Sequence, residues 1–432
     1  MTSVETANRT AAADAGRERE GDGMTDHGTA AWQDDARRDL VRSFGDRLAM
    51  FVRGEGAYLW DAEGHRYLDF LAGIAVDSLG HAHPAFVEAV ASQAATLAHV
   101  SNYFATPPQL ALAARLKRLA GTGGSGRVYF GNSGAEANEA AFKLARLHGG
   151  AGRPRILALK DAFHGRTMGT LALTGKAWMQ EPFLPMVPGV EFIDSTVEAL
   201  EAALDDTVAA FFVEPIKGEA GVVPLPDGYL AAARELTARH GALLVIDEIQ
   251  TGAGRTGAWF AFQHEGIVPD AITVAKGIGG GFPIGALITF GAASELFYPG
   301  THGSTFGGNA LGTAVADAVL EEIERADLVR NAAVRGEQVR RAVEGIGSRL
   351  VTTTRGRGLL IGVVLAAPVA KAVAAAAQRQ GLIVNAANDE TIRLAPPLTI
   401  GDVEIDEFAG LFAAALAAVE ADPSTTTTEV PA

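Results

Sequence analysis

Three short apolar runs in this chain stop at residues able to do chemistry: VAAFFV is followed by Glu214, ALLVI by Asp247 and Glu248, and AITVA by Lys276. Lys276 sits between an apolar run and Gly277 in VAKGIGGGFPIGA, where an amine has little reason to lie unless it is used. A desolvated lysine amine loses its proton and forms an imine with an aldehyde. The glycines after it let a ligand or another backbone approach closely. Asp247 suits the partner of a pyridine-type ring nitrogen, because a fixed carboxylate keeps that nitrogen protonated and the ring electron-withdrawing. Taken alone, a strand-end aspartate is equally a loop or helix cap. In the same DEIQTG segment, Ile249 could pack on a ring face and Gln250 could hydrogen-bond a ring hydroxyl.

The segment YFGNSGAEANEAAFKLARL passes from a strand through a tight turn into a helix with Ala137, Ala140, Ala141, Leu144 and Ala145 on one side. Ser133 and Glu136 fit a capping box, which by itself explains the helix start. A sharper reading adds that the amides near Ser133, Gly134 and Ala135, together with the helix dipole, form a phosphate seat. No GxxxxGK[ST] pattern is present, which disfavours a nucleotide-hydrolysing P-loop. In FHGRT, Phe163 offers an aromatic ring for stacking and Arg166 a guanidinium for a carboxylate, while His164 reads as a packed loop histidine. Ser304 and Thr305 supply hydroxyls in the Gly-rich loop THGSTFGGN.

Positioning these residues requires a sheet. The runs RVYF, RILAL, VAAFFV, ALLVI and AITVA alternate with amphipathic helical stretches, which predicts an α/β fold with a mostly parallel central sheet covered by helices. Ligands of such sheets bind beyond the carboxyl ends of the strands. Tyr229 to His240 reads as a helix ended by Gly241 as a left-handed cap, and YLWDAEGHRYLDF reads as a hairpin. The expected organisation is a disordered extension over 1–40, an N-terminal segment over 41–100 contributing to a small domain, and a large domain over 101–309. A smaller α+β domain follows over 310–421, with a flexible tail over 422–432.

Composition narrows the classes. The 432 residues carry 36 Lys plus Arg against 51 Asp plus Glu, a net charge of −15 that would repel nucleic acid and anionic membranes. There is no cysteine, which removes disulfides, thiolate nucleophiles and Cys-ligated metals and suits a cytoplasmic setting. The first residues hold no apolar run resembling a signal-peptide core, and no stretch reaches the roughly 18 apolar residues of a membrane span.

Taken together, NSGAEANEAAFKLAR, FHGRT, VEPIKGEAGVV, LLVIDEIQTGAGRTG, VAKGIGGGFPIGA and HGSTFGGN closely resemble the class III, or subgroup II, aminotransferases. The resemblance runs from Gly54 to about Glu420. It implies the fold type I of pyridoxal-phosphate-dependent transferases, with pyridoxal 5'-phosphate as cofactor and a homodimer with shared active sites. Where the family often has cysteine, this chain has Gly131, a change expected to be harmless.

Carried over position by position, the family pattern makes Lys276 the lysine that binds the cofactor aldehyde and Asp247 the partner of its ring nitrogen. Phe163 and Ile249 would sandwich the ring, Gly134 and Ala135 would bind the phosphate through their amides, and Thr305 would reach the phosphate of the neighbouring subunit. Arg166 and Ser304 would meet the substrate, Arg393 would take the α-carboxylate of glutamate, and Glu219 would pair with Arg393 until that carboxylate arrives. The reaction so implied moves a terminal amino group between N2-acetylornithine and 2-oxoglutarate. Relatives acting on ornithine, succinylornithine or 4-aminobutyrate are the alternatives, with a glutamate-1-semialdehyde aminomutase as a further one. Ile74, apolar where ornithine-specific relatives tend to carry tyrosine, favours an acylated amine. Phe44 stands where the family often has tyrosine.

Overall fold

The computed structural model describes residues 31–422. They fall into two units, one comprising the described residues up to Val52 with Asp61–His65, the other comprising Arg53–Trp60 with Arg66 onward. In the first unit Ala31–Asp39 forms a helix, whose Arg37 reaches Asp34 and Asp46 at 3.2 and 2.9 Å. The expected disordered extension over 1–40 thus includes nine helical residues, while 1–30 lie outside the described residues, as does the expected tail beyond Asp422.

The second unit is built on a seven-stranded sheet: β1 (Arg127–Gly131), β2 (Arg155–Leu159), β3 (Val190–Ile193), β4 (Val208–Val213), β5 (Leu243–Asp247), β6 (Ala271–Val274) and β7 (Gly285–Thr289). Their spatial order is β1-β7-β6-β5-β4-β2-β3, and only β7 runs antiparallel to its neighbours. Every residue of β4, β5, β6 and β7 is buried. Such strands read as continuous apolar runs because both faces are covered. Phe211, Leu244, Ile246 and Ile272 face one core, while Ala210, Phe212, Val245 and Ala271 face another. The second core is closed by Ala140, Ala141, Leu144 and Ala145 of the helix Gly134–Gly149, the stripe expected from its spacing. The sequence reading passed over β3 and β7.

The hairpin is present, with Leu59 opposite Tyr67, and the strand Leu382–Ile383 joins it in parallel through Leu382 and Leu68. Phe70 stacks on Phe408 at 4.3 Å, so this N-terminal segment packs against the C-terminal helix Asp402–Glu420. A second sheet, all antiparallel, orders Val351–Arg357, Leu360–Leu365, Thr391–Leu394 and Asn385–Asn388, and it carries Arg393. Among the described residues no helix is long and apolar enough to cross a membrane.

Candidate active site

The carboxyl ends of β4, β5 and β6 open on a cavity of about 390 Å³. Its wall carries Ser133, Gly134, Ala135, Phe163, Arg166, Glu219, Asp247, Ile249, Gln250 and Lys276. Most of the residues singled out from sequence are therefore brought together by strand ends and the loops that follow them.

Lys276 is partly buried and holds φ at +46°, a left-handed conformation that costs a non-glycine residue of order 1 kcal/mol or more and clusters at functional sites. Burial pushes its ammonium below the usual lysine range. Arg393 adds to that shift, while the charges of Glu219, Asp247 and Glu214 oppose it. The chain here forms a short 3₁₀ turn, Lys276–Ile278, and Gly277 lies so close to Ser78 that a Cβ would stand 2.7 Å from its Oγ.

Asp247 is 4% exposed. Its Oδ2 accepts hydrogen bonds from Asn138 Nδ2 at 2.7 Å and, with that ring nitrogen protonated, His164 Nδ1 at 2.8 Å; its Oδ1 accepts the Ile249 amide at 3.0 Å. His164 is therefore more than loop packing. Neither Asn138 nor His164 was assigned a site role from sequence. Asn138 sits within an alanine-rich helical face, where the one signal was a polar residue on a buried stripe.

The helix Gly134–Gly149 starts as expected at Ser133, whose Oγ accepts the Glu136 amide at 3.1 Å. The reciprocal half of the capping box is displaced: Glu136 Oε2 accepts from the backbone and side-chain nitrogens of Asn132, at 2.5 and 2.7 Å. The amides of Gly134 and Ala135 lie in the first turn, where no carbonyl of the helix can serve them. A Cβ on Gly134 would stand 2.8 Å from Ile249 Cδ1, and one on Gly285 would stand 2.2 Å from the Ser133 carbonyl oxygen. Glycine thus allows the helix start, the Ile249 side chain and β7 to meet.

Phe163 donates its amide to Glu214 Oε2 at 2.9 Å, and the exposed Arg166 guanidinium lies 5.6 Å from the centre of the Phe163 ring. Burial, reinforced by the charge of Asp247, lifts the Glu214 carboxyl to about 7 against the opposing influence of His164 and two backbone amides. Gln250 is 7% exposed, and Gly218 packs against it so tightly that a Cβ would meet its Oε1 at 2.2 Å.

Arg393, 1% exposed, donates to Glu219 Oε1, to Asn385 Oδ1 at 2.7 Å and to Gln250 Oε1 at 3.4 Å. Burial works to raise the Glu219 carboxyl, but the charge and hydrogen bond of Arg393, with Lys276 and Lys176 beyond, hold it below the ordinary range. The pairing expected for Glu219 and Arg393 is present.

Ser304 and the exposed Thr305 line a separate cleft, beside Asn102 and Tyr103. Ser304 keeps one link to the main cavity, since its Oγ accepts from Asn132 Nδ2 at 3.4 Å. Ile74 is not on the cavity wall. It holds φ at +68°, and Val76 lines the space instead. Phe44 lies in the first unit and is 73% exposed.

Residues 42–416 match the family model described as aminotransferase class-III. An acetylornithine aminotransferase of Mycobacterium tuberculosis is 53% identical over 378 residues, covering 87% of this chain and 94% of that one. One from Streptomyces coelicolor is 51% identical over 384 residues, covering 88% and 93%. Among solved structures, N-acetylornithine aminotransferase of Stenotrophomonas maltophilia superposes with a TM-score of 0.77 at 37% identity, covering 87% of this chain and 97% of that one. Ornithine aminotransferase of Toxoplasma gondii superposes with a TM-score of 0.87 at 31% identity, covering 97% and 99%. The two differ in which measure they favour, so the overall shape does not separate these substrates. With its mostly parallel sheet and covering helices in the fold type I arrangement, the chain belongs to the class-III aminotransferases, enzymes that work with pyridoxal 5'-phosphate.

Proposed function

We propose that this enzyme transfers the terminal amino group between N2-acetylornithine and 2-oxoglutarate, giving N-acetylglutamate 5-semialdehyde and glutamate, a reaction run in the reverse direction in arginine biosynthesis. The observation that carries this reading is the buried Arg393, already paired with Glu219 on the wall that also holds Lys276. A terminal-amine substrate brings no carboxylate to its reacting carbon, so a bare arginine there would attract the wrong end of it. Glutamate and 2-oxoglutarate do bring one, and Arg393 is the residue to take it once Glu219 withdraws. The names and identities of the Mycobacterium and Streptomyces relatives support the acetylated substrate.

The donor set fits the cofactor: a lysine amine with a depressed proton affinity, a fixed buried carboxylate, and helix-start amides packed by glycine. Pyridoxal phosphate, when bound, supplies an aldehyde for amine exchange and an electron-withdrawing ring. Gly134 and Ala135 would hold its phosphate with the help of the Ser133 helix start, Phe163 and Ile249 would cover its ring, and Gln250 would meet the ring hydroxyl. Asp247 would face the ring nitrogen and keep it protonated. The Lys276 Nζ, once free, would serve as the base that accepts the proton from the substrate's amine-bearing carbon. Arg166 holds the carboxylate distant from the reacting amine, with Ser304 near the substrate.

Thr305 lies apart from Lys276 in its own chain's surface cleft, beside a Tyr103 that is 93% exposed. This supports a homodimer in which Thr305 completes the phosphate seat of a second copy. Cytoplasmic residence is the setting this reading implies.

Purified holoenzyme offered acetylornithine, succinylornithine, ornithine and 4-aminobutyrate separately should lose its resting cofactor absorbance fastest with acetylornithine. Preference for ornithine would overturn the acyl assignment. Turnover with no added oxo acid would favour the aminomutase.

A further inference from the structure

Glu219 stands between two cavities. Besides the active-site space it lines a second one of about 660 Å³, together with Lys176, Lys217 and Lys371. The backbone around it is held residue by residue. Gly218 N donates to Glu214 Oε1 at 3.4 Å, and the Glu219 carbonyl accepts from Lys176 Nζ at 2.8 Å. The Ala220 carbonyl accepts from Asn388 Nδ2 at 2.9 Å and the Gly221 carbonyl from Arg355 Nε at 3.0 Å. Four consecutive residues are thus fixed by side chains from four different segments. At the end of this stretch Gly221 holds φ at +105°, which glycine allows, and Val222 holds +55°, a left-handed conformation unusual for a β-branched residue that fixes the chain direction there.

A carboxylate that must leave Arg393 on such a backbone has side-chain rotation as its means of leaving, and it needs a destination. The Glu219 side chain is already 30% exposed where it pairs with Arg393, so water is one destination. The second cavity offers a cation instead. Lys176 is half-buried, and among the described residues it forms no ion pair with a carboxylate; its ammonium donates to the Glu219 carbonyl, while the charges of Glu219, Glu214 and Asp161 act on it without direct contact. Lys371 is already paired with Asp389 at 2.9 Å, and Lys217 donates to the Lys160 carbonyl and to Ser195 Oγ. Lys176 is therefore the lysine of this cavity that is both tethered at Glu219 and without an anionic partner.

We propose that Lys176 receives the Glu219 carboxylate when an α-carboxylate substrate occupies Arg393, so that the switch between the two half-reactions is a side-chain swing between two cations about a clamped backbone. The proposal rests on the dual-substrate reading above. Lys176 is a positioning residue in it, acting through Glu219. In both states Glu219 is paired and Arg393 is neutralised, by Glu219 or by substrate; the incoming carboxylate supplies the charge that Lys176 lacks in the first state. Two buried or half-buried cations sharing one carboxylate is a bistable arrangement, and an incoming dicarboxylate biases it by binding one state alone.

The test uses Lys176→Met, Lys176→Gln and Lys176→Arg in the full-length holoenzyme. Binding of glutarate, an unreactive five-carbon dicarboxylate, is measured by calorimetry, and each half-reaction is followed by stopped flow. Lys176→Met and Lys176→Gln should weaken glutarate about tenfold and raise the substrate concentration needed in the glutamate half-reaction by a similar factor. The terminal-amine half-reaction should fall much less, and Lys176→Arg should restore glutarate binding. Lys176→Gln retains a donor for the Glu219 carbonyl, so it separates loss of charge from loss of the clamp. Equal losses in both half-reactions, or unchanged glutarate affinity in Lys176→Gln, would overturn the proposal. Failure of wild type to react with acetylornithine would instead overturn the substrate reading, and the glutarate measurement does not depend on it.

Discussion

Asp247 and His164 are joined by a 2.8 Å hydrogen bond between Oδ2 and Nδ1, with both side chains almost wholly shielded from water. Burial alone would push the imidazole down, but the bond to Asp247, the charge of that carboxylate and the charge of Glu214 raise it above the usual histidine range. With Asn138 Nδ2 and the Ile249 amide also donating, the Asp247 carboxylate is held in one orientation.

Asp247→Asn should therefore damage the chemistry more than the fold of the site. The amide replaces one acceptor oxygen by a donor that would face other donors, and it removes the charge that, on the proposed mechanism, would keep the ring nitrogen protonated. Single-turnover amine exchange should slow by about 100-fold or more, with the phosphate seat at Gly134 and Ala135 unaffected. A single-turnover rate near that of wild type would contradict the assignment.

Lys276→Ala should abolish turnover, because the proposed mechanism assigns cofactor attachment and the proton shuttle to the same amine. Cofactor can still occupy the cavity through the other contacts. Borohydride reduction of wild type followed by peptide mapping should place the pyridoxyl label on Lys276, and a label on any other lysine would displace it from the centre of the mechanism.

The chemistry-bearing strand ends were legible because burial on both faces makes β4, β5 and β6 read as uninterrupted apolar runs, so that the first charged residue after each stands out. β7 is just as apolar, but it runs antiparallel to both neighbours and so falls outside the strand–helix alternation that marked the others, and the edge strand β3 is only four residues long. Ser133 was readable as a cap, whereas the turn of Glu136 toward Asn132 depends on side-chain geometry that spacing does not encode. Asn138 and His164 acquire meaning only from Asp247, more than eighty residues away. Arg393 lies on the second sheet, behind Glu219 and Gln250 and distant in sequence from every wall residue, and only the family resemblance singled it out.

Glu248 gives a prediction about stability. Burial lifts its carboxyl from an ordinary 4.5 to about 7, although Thr251 and the amides of Ala261 and Phe262 donate to it. Between those values the folded chain binds more protons here than the unfolded chain, so this group's contribution to stability falls as pH rises through that window. Gln at this position can still accept from the Phe262 amide and bond Thr251, and it never ionises. The melting temperature of Glu248→Gln relative to wild type should rise between about pH 5 and about pH 8. A pH-independent difference would mean that Glu248 is ionised throughout.

Glu219→Ala removes the negative partner of an arginine that is 1% exposed. With glutamate or 2-oxoglutarate, the substrate's own α-carboxylate replaces the lost charge, and no pairing has to be broken first. That half-reaction should proceed as well as in wild type or better. With acetylornithine, Arg393 remains without its carboxylate while a terminal amine is being presented, and the substrate's distant carboxylate can be drawn to it in a misaligned pose. Leaving a buried charge unpaired costs roughly 2 to 5 kcal/mol. Asn385 and Gln250 still accept from Arg393, which places the loss toward the lower end of that range. Stopped-flow measurement of each half-reaction separately is the check: divergence in this direction supports a switching role, whereas equal losses for both substrates would make Glu219 a structural partner of Arg393 with no part in choosing between them.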